Sequence, residues 1–305
     1  MLQRTVSPAL QRWVERYARV GRRNPYLWTW VRQAVEVTTL PCVRADLRDE
    51  LCDTKALGVM FDVMLDDVAD RGGGSALLEA LLLLPLGVAA PDLSQFSMDQ
   101  QAYAELACAL WGEIQARARR CPCFEAYADL LRYDYLQLCN VMRYSHLLNR
   151  NLLMLNLAEH DLYTPHNMHI MICATLDLMC APAFDRSELG KLREVVWHAQ
   201  CMGRIGNLVT TWQRELGEGD FTSGVYARAV SCGEITAADL RAGDSTRIEA
   251  VILEGGHEAY FWGRWAKHRR LLLSRGRSLR SFDVRKFLAG FERLICLHLG
   301  SRGYK

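Results

Sequence analysis

The sequence predicts an all-α protein: one helical bundle whose site lies between facing helices. Three observations predict it. Sustained apolar/polar alternation and Asn-Gly hairpin signals between β-branched runs do not occur, so strands have no support. Helical periodicity runs through almost the whole chain. Several segments are apolar nearly all round, such as "HIMICATLDLMCA", and helices of that kind belong inside a multi-helix bundle, where sites form between neighbours.

The helices follow in order, each bounded by recognisable punctuation. The first, 6–21, places Trp13 and Tyr17 four residues apart on one packing face. The next, 26–39, opens after Pro25 and closes before Pro41. Helix 51–71 carries "ALGVMFDVMLDDVAD" and stops at Gly72 to Gly74. Helix 75–89 holds the oily run "ALLEALLLLPLGVAA" and ends before Pro91. Pro122 parts 97–118 from 123–150, and Pro165 parts 152–162 from 166–181, which Pro182 ends. The long helix 186–217 runs into Gly217 to Gly219, and 235–242, 245–275 and 281–300 complete the series. With no repeat, low-complexity tract or polar linker, 1–305 reads as a single domain.

Composition narrows the function. The 305 residues are 50% hydrophobic, enough for a large core. Lys and Arg number 37 against 35 Asp and Glu, so no basic field favours nucleic acid or a membrane surface. The 11 cysteines are scattered, with only Cys121 and Cys123 close together, and fit neither a disulfide framework nor a zinc site. A reduced, cytoplasmic protein is the simple reading. The oily run at Ala76 to Ala90 holds Glu79 and Pro85 and is too short for a membrane span. The Arg-rich start (Arg4, Arg12, Arg16, Arg19, Arg22, Arg23) lacks the apolar core of a secretory signal. A transit peptide is its weaker reading, since Trp13 and Tyr17 suit packing.

Two segments carry candidate chemistry. At about 100° per residue, Asp62, Asp66 and Asp70 share an arc of roughly 80°, with Asp67 beside them. Like charges four apart repel; a hard cation such as Mg²⁺ offsets that, although taken alone the cluster reads as a solvated helix end. In "GRIGNLVTTWQRELGEGD", Asn207, Thr211 and Glu215 recur every four residues, with Arg204 and Arg214 within a face of roughly 100°. Amide, hydroxyl and carboxylate oxygens suit a second Mg²⁺, and guanidinium groups suit an anion held by it. Taken alone, this too reads as an exposed polar face.

Together, DDxxD in "DDVAD" and NxxxTxxxE in "NLVTTWQRE" resemble the paired motifs of class I terpene synthases, over the central two-thirds of the chain. Arg214 stands where that family carries Lys or Arg before Glu, and Trp212 where an aromatic is common. Leu208 departs from the usual Asp, at a position that is not a ligand in the family. The segment "LAEHDLYTPHNMHI" lacks the diphosphate-sensing Arg of many bacterial members, leaving His160, His166 and His169 as its basic groups. That absence, with Glu159 and "GRIGN", is similar to kaurene-synthase-like diterpene synthases.

The resemblance implies Mg²⁺, as a trinuclear cluster with the diphosphate of a prenyl diphosphate substrate. It implies Asp66, Asp67 and Asp70 on one wall, with Asp67 outside direct contact, and Asn207, Thr211 and Glu215 on the other. Arg204 and Arg214 would bond the diphosphate, and Asp62 would orient a neighbouring group. The family's C-terminal Arg-Tyr has an approximate counterpart in Arg302 and Tyr304, which would close the mouth with the glycine run after Asp70. Phe61 is the leading candidate for an aromatic facing the carbocation, followed by Trp111, Trp197, Trp262 and Trp265, although aromatics at helical spacing more often build core. A twenty-carbon substrate, linear or bicyclic, is the favoured reading, with farnesyl diphosphate as the alternative. A prenyltransferase of the same fold and a non-enzymatic helical scaffold are the rivals. Homodimerisation is left open.

Overall fold

In a computed structural model of the chain, the described residues are 6–70, 75–87 and 91–302, with Asp70 described by its backbone alone. Among them are fourteen α-helices and no strand. In chain order these are α1 (Pro8–Tyr17), α2 (Tyr26–Val37), α3 (Arg48–Asp70), α4 (Ser75–Leu82), α5 (Met98–Arg119), α6 (Phe124–Arg150) and α7 (Leu157–Tyr163). Then come α8 (Ile170–Met179), α9 (Leu189–Glu218), α10 (Gly224–Ser231), α11 (Ala237–Ala242), α12 (Ser245–Glu254), α13 (His257–Gly276) and α14 (Val284–Gly300). The starts are chemically set. The Ser7 hydroxyl accepts from the Leu10 amide with Pro8 in the first turn, Ser97 and Gln100 form a capping box, and Asp283 accepts from the Arg285 and Lys286 amides.

The structure departs from the sequence expectation at five places, the first being the expected helix 152–162, which is a 3₁₀ turn over Leu152–Met154 and then α7, whose start is capped by Asn156. The expected helix 245–275 is two helices, because Gly256 at φ 64° ends α12's run and starts α13 at a new angle. Pro85 stops α4 at Leu82 and is carried in a short 3₁₀ turn, Leu84–Leu86; residues 88 and 89 lie outside the described residues. Helix 166–181 begins only at Ile170, after a 3₁₀ turn over Thr164–Met168 and His169 at φ 58°. Helix α10 was not expected at all.

Two long helices organise the bundle. Helix α3 packs on α2, α5 and α6, and α9 packs on α8, α13 and α14. On α3, Leu57, Met60, Phe61, Met64 and Leu65 are all fully buried. Helices α2 and α14 touch backbone to side at Gly290, where an added Cβ would lie 2.0 Å from the Val37 carbonyl oxygen. Gly290→Ala is therefore expected to cost about 1–3 kcal/mol, because a backbone atom blocks the methyl and the helices must part. Urea unfolding measures it, and an unchanged midpoint would show that α2 and α14 separate freely. Among the described residues no helix is long and apolar enough to cross a membrane, and all 11 cysteines are free thiols.

Candidate active site

A cavity opens between α2, α3, α8, α9 and α14, an empty space of about 1170 Å³ counted together with the solvent at its mouth. The helical repeat decides what reaches it. On α3, Val59, Asp62, Val63 and Asp66 lie three and four apart and all line it. On α9, Arg204, Asn207, Thr211, Arg214 and Glu215 line it in the same way. The two polar faces read from the sequence thus meet across one space. Leu27, Val31, Val35, Val63, Ile170 and Leu294 make much of the remaining wall apolar.

Asp66 accepts from Asn167 Nδ2 at 3.1 Å, and its Oδ2 lies 3.6 Å from Arg23 Nη2. Burial pushes its pKa up to about 6; Arg23 opposes the shift and the Asp220 carboxylate adds to it. Burial and Asp220 likewise push Glu215 up to about 7, against Arg204 and Arg214. Glu215 Oε2 is buried without a hydrogen-bond partner, as are the Nε atoms of Arg204 and Arg214. Arg204 Nη1 donates to Asn207 Oδ1 at 3.0 Å and its Nη2 to the Thr222 carbonyl at 3.2 Å. Thr211 Oγ1 donates to the Asn207 carbonyl at 3.0 Å. Arg214 pairs with Glu218, and its Nη2 lies 3.8 Å from Glu215 Oε1.

Asp67 turns away from the cavity. It is buried, accepting from Tyr17 Oη at 3.1 Å and Arg23 Nε at 2.8 Å. The Asp70 side chain and Tyr304 lie outside the described residues. Arg302 does not reach the cavity; it donates to Glu258 at 2.6 Å and to Gln213, on the outer side of α9.

The five expected aromatics also go elsewhere. Phe61 sits about 100° round α3 from Asp62, so it faces α5, where it meets Trp111 at 5.3 Å. Trp111 in turn packs on Tyr135 at 4.8 Å. Trp197 packs on His166, and Trp262 on Trp265, both away from the lining. Among the described residues the one Trp, Tyr or Phe that lines the cavity is Trp30 of α2, edge-on to His298 at 4.9 Å, with its Nε1 donating to the Leu297 carbonyl. Of the three histidines in the break before α8, only His169 lines the cavity.

Two charged residues join the site unannounced. Gly219 adopts φ 76° after α9, its amide donating to Leu216 and the Asp220 amide to Glu215 at 3.0 Å. This glycine-closed helix end folds the chain back over its last turn and brings Asp220 beside Glu215. Arg23 arrives through Gly21, where a Cβ would lie 2.1 Å from the Tyr17 ring. The loop can close over Tyr17 only without a side chain there.

Among the described residues no group of three or more His, Cys, Asp and Glu side chains is arranged to hold a metal ion. The oxygen set is instead divided between two walls and includes an amide and a hydroxyl. It still fits a hard divalent cation: the donors are oxygens, Glu215 Oε2 lacks a partner, and burial, with repulsion from Asp220 added, raises Asp66 and Glu215 together.

No known family profile and no curated protein matches the sequence. Solved structures do match. Abietadiene synthase from Abies grandis superposes with a TM-score of 0.60 at 13% identity over 95% of this chain and 36% of its own. Isoprene synthase from grey poplar leaves (Populus x canescens) gives 0.59 at 15% identity, over 95% of this chain and 51% of its own. Linalool/nerolidol synthase from Streptomyces clavuligerus, solved with 2-fluorogeranyl diphosphate, gives 0.59 at 14% identity, over 97% of this chain and 99% of its own. The chain thus spans about a third to a half of the two plant enzymes and nearly all of the Streptomyces one. At such identities the likeness speaks for the fold alone, and on that ground the chain has the all-α fold of the class I terpene synthases.

Proposed function

We propose that the chain, as one domain over 1–305, is a terpene synthase that ionises a prenyl diphosphate and converts the resulting carbocation to a terpene. The observation that carries this is the convergence of Asp66, Asn207, Thr211 and Glu215 with Arg23, Arg204 and Arg214 on one cavity whose remaining wall is largely apolar. The same isoprene synthase was also solved with three Mg²⁺ ions and dimethylallyl-S-thiolodiphosphate, which supports a like ligand here.

Asp66, Asn207, Thr211 and Glu215 would hold Mg²⁺, and the DDxxD spacing makes Asp70 a further proposed ligand. Bound there, Mg²⁺ supplies Lewis-acid neutralisation of the departing diphosphate. Arg204 spans Asn207 and the Thr222 carbonyl, so its guanidinium is held in place beside the oxygen set; such preorganised charge favours the developing anion. Arg214 and Arg23 would add donors from the two walls. The apolar wall excludes water from the cation, and Trp30 takes the role expected of Phe61, offering an aromatic face. A twenty-carbon substrate, linear or bicyclic, is our preferred one, on the strength of the missing Arg before α8.

Incubation with Mg²⁺ and the ten-, fifteen- and twenty-carbon diphosphates, and with copalyl diphosphate, followed by product analysis, tests the reading. Release of diphosphate from none of them would remove it.

The raised carboxylates give a pH signature. A carboxylate raised in the folded state stabilises the fold only while protonated. The contribution of Asp66 and Glu215 is therefore present below their ordinary values of 3.8 and 4.5 and is lost as pH rises through about 6 and 7. A cation binding the ionised form reverses the loss. The rise in Tm on replacing EDTA with Mg²⁺ is expected to be larger at pH 8 than at pH 5.5; equal rises at both would count against the site.

A further inference from the structure

Helix α8 begins at Ile170, which lines the cavity, and ends at a corner where reactive groups of another kind meet. Cys121 lies in the turn between α5 and α6, and Cys180 follows the last residue of α8. Backbone bonds fix the two against each other. The Cys123 amide donates to the Met179 carbonyl at 2.9 Å, and the Arg44 amide donates to the Cys180 carbonyl at 3.0 Å. Between these strands of chain, Cys180 Sγ donates to Cys121 Sγ at 3.4 Å. Cys180 is buried, at 3% exposure, while Cys121 is partly exposed. Among the described residues no third ligand is arranged with them for a metal ion.

The pair is chemically unequal. Donation from Cys180 holds the Cys121 thiol below its ordinary value of 9.0, with help from Arg120 and against burial and Glu50. The same donation, together with burial, pushes Cys180 up. The thiolate is the attacking form in thiol–disulfide exchange. The sulfur that solvent reaches is thus also the readier to ionise, and the second sulfur stands behind it. Other thiols differ: burial pushes Cys42, Cys139, Cys173 and Cys201 up to about 12. A disulfide bond is about 2.05 Å long, so the two sulfurs need approach by only about 1.4 Å.

We propose that Cys121 and Cys180 are a reversible dithiol site, closed to a disulfide by exchange with a low-molecular-weight disulfide, and that closure locks the end of α8 to the α5–α6 turn. The Cys121 thiolate attacks one sulfur of the small disulfide and expels one thiolate, leaving a mixed disulfide on Cys121. Cys180 releases its proton to solvent and attacks the Cys121 sulfur, expelling the second thiolate. The two cysteines are oxidised by two electrons, and the small disulfide is reduced to two thiols. The new bond joins positions 59 apart in the chain. Closing so long a loop restricts the unfolded chain and so stabilises the fold. The site is independent of the chemistry proposed for the cavity.

The test incubates the reduced protein with oxidised glutathione, quenches it with an alkylating reagent and maps it by mass spectrometry without reduction. A Cys121–Cys180 cross-link is expected as the dominant disulfide, with Tm raised by about 5 °C. Dithiothreitol is expected to reverse both. Cys180→Ser is expected to stop at glutathione bound to Cys121, with no rise in Tm. Should that variant not fold, Cys121→Ser replaces it: cross-link and Tm rise both disappear there, and a rise that persists overturns the proposal. In the parent, three results overturn it: both thiols still alkylated after incubation, glutathione persisting on Cys121, or a cross-link that leaves Tm unchanged.

Discussion

Glu215→Gln is expected to cost turnover on the order of a thousandfold, comparable to losing one preorganised group at a site of developing charge, while the metal-free protein stays as stable as the parent or gains. The two halves have one cause. Glu215 is a buried carboxylate with a partnerless oxygen, its pKa pushed up to about 7 by burial and by Asp220. Neutral glutamine removes that repulsion, so the fold loses nothing by the change. The function loses its charged oxygen. Asn207→Ala is expected to behave alike in turnover, because it removes both the oxygen and the partner that holds Arg204 at 3.0 Å. Steady-state rates with thermal melts in EDTA check the pair. Full activity in either variant would show the α9 oxygen set to be misassigned. Lost activity with a large fall in Tm would show Glu215 to be structural.

Lys55→Ala carries the largest expected effect on stability, about 3–5 kcal/mol, the range for removing one partner of a buried ion pair. Lys55 and Asp177 are 0% and 1% exposed, 2.8 Å apart. The ammonium also donates to Thr39 Oγ1 at 2.7 Å, and Asp177 Oδ2 accepts from the Leu40 amide at 2.8 Å. Burial alone would lower the Lys55 pKa, but the Asp177 carboxylate overrides it and raises it. This pair ties α3 and α8, both walls of the cavity, to the chain leaving α2. Removing Lys55 strands Asp177 in the core. The double change K55M/D177L removes both charges and is expected to recover most of the loss. Denaturant unfolding of the parent and the two variants measures this. A single variant within 1 kcal/mol of the parent would mean that water reaches the site.

The helices and the two polar faces were legible because periodicity and spacing are properties of a single helix. What a single helix does not carry was not legible. Asp62 and Phe61 are adjacent in sequence, yet only packing decides that one faces the cavity and the other meets Trp111. Trp30 lines the cavity because α2 lies across from α9, a tertiary fact. Arg302 sits in a tail whose direction is set by Glu258, 44 residues away in the chain. Asp220 had a readable signal, an acidic residue just past a helix-ending glycine, which folds back on the last turn. Arg23 had none beyond its place among many arginines. Helix α10 is eight residues long and held by Val225, Tyr226, Ala227 and Ala229 in a buried cluster, so local pattern alone did not announce it.

The central claim is that α3 and α9 share one metal–diphosphate site. Anomalous diffraction from crystals grown with Mn²⁺ and inorganic diphosphate tests it most directly, since Mn²⁺ suits the same oxygen ligands. The expected result is metal peaks within about 2.0–2.3 Å of Asp66 and of Asn207, Thr211 and Glu215, with diphosphate between them against Arg204 and Arg214. Metal bound elsewhere, or diphosphate held away from these two faces, would contradict the account.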